Sequence, residues 1–564
     1  MLNRRILVTA LLAAFYGCSA PKKITTEKPT PPPAPVAPAP QPAPTPVPPS
    51  TQAPVPMGIP TVPESAPDAP LHISVAYPVP NQWRPTVDSN FIFGTVGNGH
   101  ASLDINGFPV PVAKNGAFLA FLPMPENGKY HLVASRGMDR DSMNVAYSTR
   151  TLEETPKKNI ADKGFEPKYA RIIKGSDTLQ TGNDVACGAL TPDGNREWFF
   201  PRGARLHFIE HEGKYYKAKL DSNTFAWIAD SNFTSNEDPN QDRMPHHGSG
   251  SVVSPRIATG FMPFYRLVKG DIFPSTGSID LKLPGHYYPF QITVNGNTLR
   301  IHIYSDSTIL PSLFDTTTND PLIDHFQYDS TGGGTKLTVV LKIPVWGYKA
   351  FYTEDGSLDV RIRRPPEIDK NNPLKGIRIM LDPGHPPGGA TGPTGMMERE
   401  ANLAEAMKLR EQLIAKGATV LMTHETLSGL VSDVNQIEEL DARSLLGVQS
   451  NVDLYLSVHN NAFPDGTDPF LKYGTSTYYF HPFSAELAAD LDKEIAAVTL
   501  IPNLGAKFKS LAVCRPTWMP CALTESLYMM FPDQEAALRN PEFLDRLAAA
   551  HVRGIEDFLR ERAK

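Results

Sequence analysis

IRIMLDPGHPPGGATGPTGMME, residues 377–398, is the stretch on which the reading of the fold turns. Ile377, Ile379, Met380 and Leu381 form a short apolar run, as expected of a strand covered on both faces of a sheet. Asp382-Pro383-Gly384 then breaks the ladder and turns the chain. His385 is therefore expected just past a strand end, at the rim where open α/β sheets carry their chemistry. A loop rich in Gly and Pro leads on to Glu398, just ahead of a helical pattern.

Working outward, two more segments have the same form. VDLYLSV (452–458) is an apolar strand pattern, and His459 follows it directly. Cys521-Ala522-Leu523 is another apolar run and leads to Glu525. Two imidazoles and one carboxylate, with a fourth position left to water, are the ligand set of a catalytic zinc site. A further carboxylate beside them suits a general base. Between these segments, helical periodicity is expected over 400–416 (Leu403, Met407, Leu409, Leu413, Ile414), with Gly417 as the stop. A second helix is expected over 437–448, with Leu440, Leu445 and Leu446 inward, and further helices over 485–498 and 541–562. ATVLMT (418–423) and GTSTYYF (474–480) read as strands. Such alternation predicts an α/β domain with a mostly parallel sheet and helices on both faces.

Four pieces of this region resemble the zinc-dependent N-acetylmuramoyl-L-alanine amidases of the AmiC-like type. They are LDPGH at 381–385, GPTGMMEREANL at 392–403, SVHNNA at 457–462 and PCALTES at 520–526. The resemblance runs from residue 374 to the C-terminus. It implies that His385, Glu398 and His459 bind Zn2+ and that Glu525 is the catalytic carboxylate, with Asn461 and Arg515 as substrate-binding candidates. The implied reaction is hydrolysis of the amide between N-acetylmuramic acid and L-alanine in peptidoglycan. The chain departs from the family's pattern in three places. Pro386-Pro387 precede Gly388-Gly389, His424 stands where an Arg is common, and Asn503-Leu504-Gly505 replaces an asparagine-arginine-glycine stretch. His424 is read as structural or substrate-side. Some family members are blocked by an inserted helix, and no extra helical pattern is visible over 481–520.

The remaining chain reads as an export and targeting apparatus. Its 564 residues carry a net charge of −6, which leaves no basic footprint for nucleic acid. Residues 1–20 have a charged start and a short apolar core, the form of an export signal. Gly17-Cys18 resembles a lipoprotein cleavage site, which implies lipidation at Cys18; an ordinary cleaved signal, with Cys18 discarded, is the alternative. Residues 21–70 are Pro-rich and read as an extended tether. At about 3.1 Å per residue such a segment reaches on the order of 150 Å. Residues 71–143 read as a β-rich, immunoglobulin-like module with a hairpin at Asn106-Gly107. Residues 168–233 resemble SH3-like modules. Residues 261–364 resemble a β-sandwich, with a hairpin at Asn295-Gly296. A linker, 365–373, precedes the catalytic domain at 374–564. His246-His247 is read as a solvated loop, since adjacent side chains diverge in extended chain. Cys187 is read as an unpaired, partly buried thiol, and pairing of Cys514 with Cys521 is left open.

Together these features predict a peptidoglycan hydrolase of the cell envelope, periplasmic and lipid-anchored on the outer membrane, with a place in cell division. A protein activator is a partner the sequence leaves open. The rival readings are another zinc-dependent envelope hydrolase, such as a carboxypeptidase or deacetylase, and a non-catalytic cell-wall-binding protein on the same scaffold.

Overall fold

The computed structural model describes residues 58–150, residues 357–563 apart from 432–435, and a set of strands and turns within 168–352. Cys18, His246-His247, the signal segment, most of the tether and the Cys187 side chain lie outside the described residues.

The N-terminal module has two antiparallel sheets. Ser89–Thr95 lies between Ser74–Tyr77 and Ala117–Pro123 in one, and four strands from Ser102–Ile105 to Asp139–Ala146 form the other. Ile92, Phe118, Ile105 and Leu132 fill the space between them. Asn106 and Gly107 turn the predicted hairpin with φ of 53° and 85°, the left-handed pair that a two-residue turn requires. Seven antiparallel strands follow within 168–234, and then two sheets within 256–363. Gly296, at φ 57°, turns the hairpin between Phe290–Asn295 and Thr298–Ile303.

The C-terminal region contains a six-stranded sheet. Its strands are β1 (Arg378–Pro383), β2 (Thr419–Met422), β3 (Leu454–Asn461), β4 (Thr475–Tyr479), β5 (Asn503–Phe508) and β6 (Cys521–Tyr528). The spatial order is β2-β1-β3-β6-β4-β5. Every neighbouring pair is parallel except β4 against β6. The helices are α1 (Glu398–Ala415), α2 (Gln436–Gln449), α3 (Ala485–Thr499), α4 (Pro532–Leu538) and α5 (Pro541–Arg562). Alternation along each strand divides the core in two. Ile379, Leu381, Leu456 and Ala522 pack against α1, α3 and α5. Met380, Tyr455, Cys521 and Leu523 pack on the opposite face with Val448 of α2, Val513 and Trp518. The predicted mostly parallel sheet with helices on both faces is thus the observed one.

Several expectations are corrected. Glu398 is the first residue of α1 rather than a residue ahead of it. Ile414 is exposed, and the buried face of α1 carries Glu398, Asn402 and Glu405 beside Ala401, Ala406, Leu409 and Leu413. Apolar periodicity points elsewhere because this helix turns acids and an amide inward. Leu445 of α2 is likewise exposed, while Arg443 and Ser444 are buried. Segment 481–520 holds α3 and also β5, a strand the sequence pattern did not reveal. Glu525 lies within β6 rather than after it. Cys514 and Cys521 are free, buried thiols.

The β-rich units do not hang free of the C-terminal region. Arg363, 2% exposed, places its guanidinium 2.8 Å from the Asp453 carboxylate, and Trp346 donates to the Asp453 carbonyl at 3.1 Å. At the other end, Phe91 and Phe93 of the N-terminal module pack with Tyr528, Met530 and Phe531. Asn90 donates to Asp465 at 2.7 Å, and the Tyr77 hydroxyl donates to the same carboxylate.

Candidate active site

The sheet brings three of the expected residues to one point. β1 ends at Pro383, and the Gly384 amide donates to the Val458 carbonyl at 2.8 Å, which ties the turn to β3. His385 follows at φ 62°, a left-handed conformation that costs a non-glycine residue energy. Arg443 holds it there. From the buried face of α2, its guanidinium donates to the Pro383 carbonyl at 3.2 Å and also to the Pro386 carbonyl. Asp382 and Glu439 in turn fix Arg443 at 3.4 and 2.8 Å.

Glu398 stands between the two histidines. Its Oε2 lies 3.2 Å from His385 Nε2, and its Oε1 lies 3.1 Å from His459 Nδ1. The two imidazole rings cross at 75° with centroids 5.1 Å apart. One donor atom from each of the three residues falls within a 4.8 Å group. Burial alone would raise the Glu398 pKa, but hydrogen bonds from both imidazoles hold it well below the usual carboxylate range. Burial opposes the charge on His385, yet the Glu398 carboxylate raises its pKa overall. His385 Nδ1–H donates to the Pro387 carbonyl at 3.0 Å, which leaves Nε2 facing the group. That pattern orients a metal-ligating imidazole.

The residues fit a divalent cation with mixed nitrogen and oxygen ligation. A carboxylate shared between two imidazoles has its charge directed to one point, and the protons that now bridge them are what a cation would replace. Glycine makes the approach possible. A Cβ on Gly384 would lie 2.3 Å from the His459 ring, and one on Gly389 would lie 3.2 Å from the His385 ring.

Glu525 is the neighbour of His459 across the parallel ladder, so both side chains leave the same face. It is half-buried as a residue, but its Oε2 is enclosed with no hydrogen-bond partner among the described residues. Burial pushes its pKa well above the ordinary range, and the Glu398 charge adds to this. An enclosed, unpartnered carboxyl beside a ligand cluster is suited to exchanging protons.

Asn461 ends β3 at the same rim, where its carbonyl accepts from the Met529 amide at 2.9 Å. Arg515 is buried, and its guanidinium donates to Ser510 at 3.1 and 2.9 Å. His424 lies beside the site with its Nδ1 3.1 Å from the Thr423 hydroxyl, and burial lowers its pKa.

Sequence reasoning missed a second layer. Asn402 donates to the Gly384 carbonyl at 3.0 Å and reaches Glu398 Oε1 at 3.4 Å. Asn460 donates to Asn402 and Glu405, Ser526 donates to Glu405 at 3.0 Å, and His551 stands 3.6 Å from Glu405. Burial raises the Glu405 pKa to about 7. The Glu535 carboxylate accepts from the Thr394 and Met396 amides and shapes the loop before Glu398. The signal for this layer in the sequence is polar residues at core-facing helix and strand positions.

Residues 379–557 match the family Amidase_3, N-acetylmuramoyl-L-alanine amidase. A probable cell wall amidase LytH of Staphylococcus epidermidis is 29% identical over 194 residues, covering 33% of this chain and 60% of that protein. The LytH of Staphylococcus aureus is 31% identical over 191 residues, with the same two shares. The chain thus spans 60% of the length of the curated relatives it matches. A solved structure of the N-acetylmuramoyl-L-alanine amidase from Clostridium difficile 630 is 25% identical over 33% of this chain and 97% of that chain, with a TM-score of 0.29.

Proposed function

We propose, from the match of residues 379–557 to the N-acetylmuramoyl-L-alanine amidase family, that this protein hydrolyses the amide joining N-acetylmuramic acid to L-alanine in peptidoglycan. The observation that carries the reading is the convergence of His385, Glu398 and His459 beside the enclosed Glu525 carboxyl. The three ligand-type residues would hold Zn2+, the cation that suits two imidazoles and one carboxylate with an open position. When bound, the ion supplies Lewis-acid polarisation of the scissile carbonyl and activation of water.

The chain's own residues do the rest. Glu525 takes a proton from the attacking water at its carboxylate and returns it to the leaving alanine nitrogen. For this it must be ionised when substrate binds. A cation held by His385, Glu398 and His459 would oppose the upward push of burial on that carboxyl. The hydrogen bond from His385 Nδ1–H to Pro387 fixes the ring's orientation. Arg443 and Asn402 hold the 383–386 turn from two sides. Asn461, at the rim, is placed to meet the substrate.

The envelope location follows from the substrate, and lipidation at Cys18 would place the enzyme on the membrane with the Pro-rich segment as tether. The β-rich modules are proposed as immunoglobulin-like, SH3-like and sandwich-like spacers or wall-binding units. Mass spectrometry of digested peptidoglycan tests the reaction. The expected products are intact stem peptides with a free N-terminal alanine and glycan strands with free lactyl carboxylates. Release of terminal D-alanine or of acetate instead would refute it.

A further inference from the structure

The sheet continues past Glu525 to a group of cations. Glu525 pairs with Ser476 of β4, Leu523 pairs with Tyr478, and Tyr478 pairs with Lys507 of β5. Partners across a ladder project to one face, so His459, Glu525, Tyr478 and Lys507 share a surface. Lys509, two residues beyond Lys507, keeps that side, and its amide donates to the Tyr479 carbonyl at 2.9 Å. The Lys507 and Lys509 ammoniums stand 5.7 and 5.1 Å from the centroid of the Tyr478 ring. Lys472, on the loop before β4, is near enough for its charge to act on Lys507.

Asp492 and Glu525 act on Lys507 through space, but neither closes an ion pair with it. Among the described residues none of the three ammoniums has a carboxylate within 4 Å. Asp492 is the nearby acid. It accepts from the Gly505 amide at 3.0 Å and from Thr475 and Thr477, which alternate onto the other face of β4. An ordinary solvated lysine face would spread its charges into water. Here two ammoniums converge over one aromatic ring in a chain whose net charge is −6. Two ammoniums held over one ring repel each other, and a bound carboxylate in direct contact would relieve this. The Lys509 and Lys507 charges also reach Glu525, so the group lies at the flank of the reacting centre and not on a remote surface.

We propose that Lys507 and Lys509, gathered on Tyr478 beside Glu525, bind a free carboxylate on the peptide portion of the substrate. The inference rests on the amidase reading above and adds to it a preference for acidic over amidated stem peptides.

The test uses the full-length protein and two synthetic N-acetylmuramoyl peptides. They are identical except that the acidic residue after the alanine has a free carboxylate in one and an amide in the other. Wild type is expected to favour the free acid by about tenfold in kcat/KM, the size of two rim ion pairs. The preference should shrink as salt is raised. The double variant Lys507→Gln, Lys509→Gln should bring the ratio to within about twofold, through KM. The charge-conserving pair Lys507→Arg, Lys509→Arg should keep it. The ratio is the proper readout because the lysines also act on Glu525, and that effect falls on both substrates alike. A Gln double variant with the wild-type ratio, or a wild type with no preference, would overturn the proposal. Cleavage of neither peptide by wild type would overturn the functional reading itself, and this inference with it.

Discussion

Gly384→Ala should separate the geometry of the site from the stability of the fold. Gly384 does not need a left-handed backbone, so alanine is conformationally tolerated there. The obstacle is the His459 ring, whose nearest atom would lie 2.3 Å from the new Cβ, with two more ring atoms at 2.4 Å. Ordinary van der Waals contact begins near 3.4 Å, so the imidazole must retreat by about 1.1 Å (3.4 − 2.3). A displacement of about 1 Å at a reacting centre can cost ~10²-fold in rate, and displaced support of a metal ligand typically costs ~10–100-fold in affinity. The variant should therefore fold with a melting temperature near wild type, bind zinc 10–100-fold more weakly and lose about 10²-fold in kcat/KM (both as orders of magnitude). Gly388→Ala is the control. Its Cβ meets nothing within 4 Å, but its φ of 80° strains a side chain. It should cost about 1–2 kcal/mol of stability and leave the imidazole in place. Melting curves, zinc competition titrations and turnover on purified peptidoglycan check all three quantities. Wild-type zinc affinity and turnover in Gly384→Ala would refute the contact argument.

Three further outcomes are expected. Arg443→Met leaves Asp382 and Glu439 buried without their cation, so it should lower stability by about 3–5 kcal/mol in denaturant unfolding; a loss below 1 kcal/mol would show that the network is not holding the turn. The raised His385 pKa in the metal-free protein means that protons compete with the cation from a higher pH than usual, so zinc should begin to leave on acidification above the ordinary imidazole value of about 6.5; equilibrium dialysis across pH 5–8 would contradict this if affinity stayed flat down to that value. Cys18→Ala should move the protein from the membrane fraction to the soluble fraction, and unchanged fractionation with an unprocessed leader would remove the lipid anchor from the account.

The site was legible because its residues follow local rules. His385 was expected just past a strand end and lies there, because Pro-Gly stops the apolar run; His459 was expected just after its strand, but β3 runs on through it to Asn461. The sheet's mostly parallel character followed from alternating periodicities. What was not legible depends on partners far apart in sequence. Nothing local marks Arg443, whose partner Asp382 lies 61 positions away. Nor does anything local mark Asp465, which accepts from Asn90, 375 positions away. β5 was hidden because Pro502 and Gly505 look like loop punctuation; Gly505 takes φ 80°, and the ladder with β4 shifts register there. The inward Glu398, Asn402 and Glu405 defeat apolar periodicity because α1 serves the site first and the core second.

Zinc content measured beside turnover in two variants tests the central claim most directly. Glu398 is assigned as a ligand and Glu525 as the proton carrier, so the two carboxylates should fail differently. Glu525→Gln should keep about one zinc per chain, as a single three-ligand site implies, and lose ~10²–10⁴-fold in rate. Glu398→Gln should lose zinc and activity together. A Glu525→Gln protein without zinc beside a Glu398→Gln protein that retains it would show that the two roles are reversed, and full activity in metal-free wild type would contradict the account altogether.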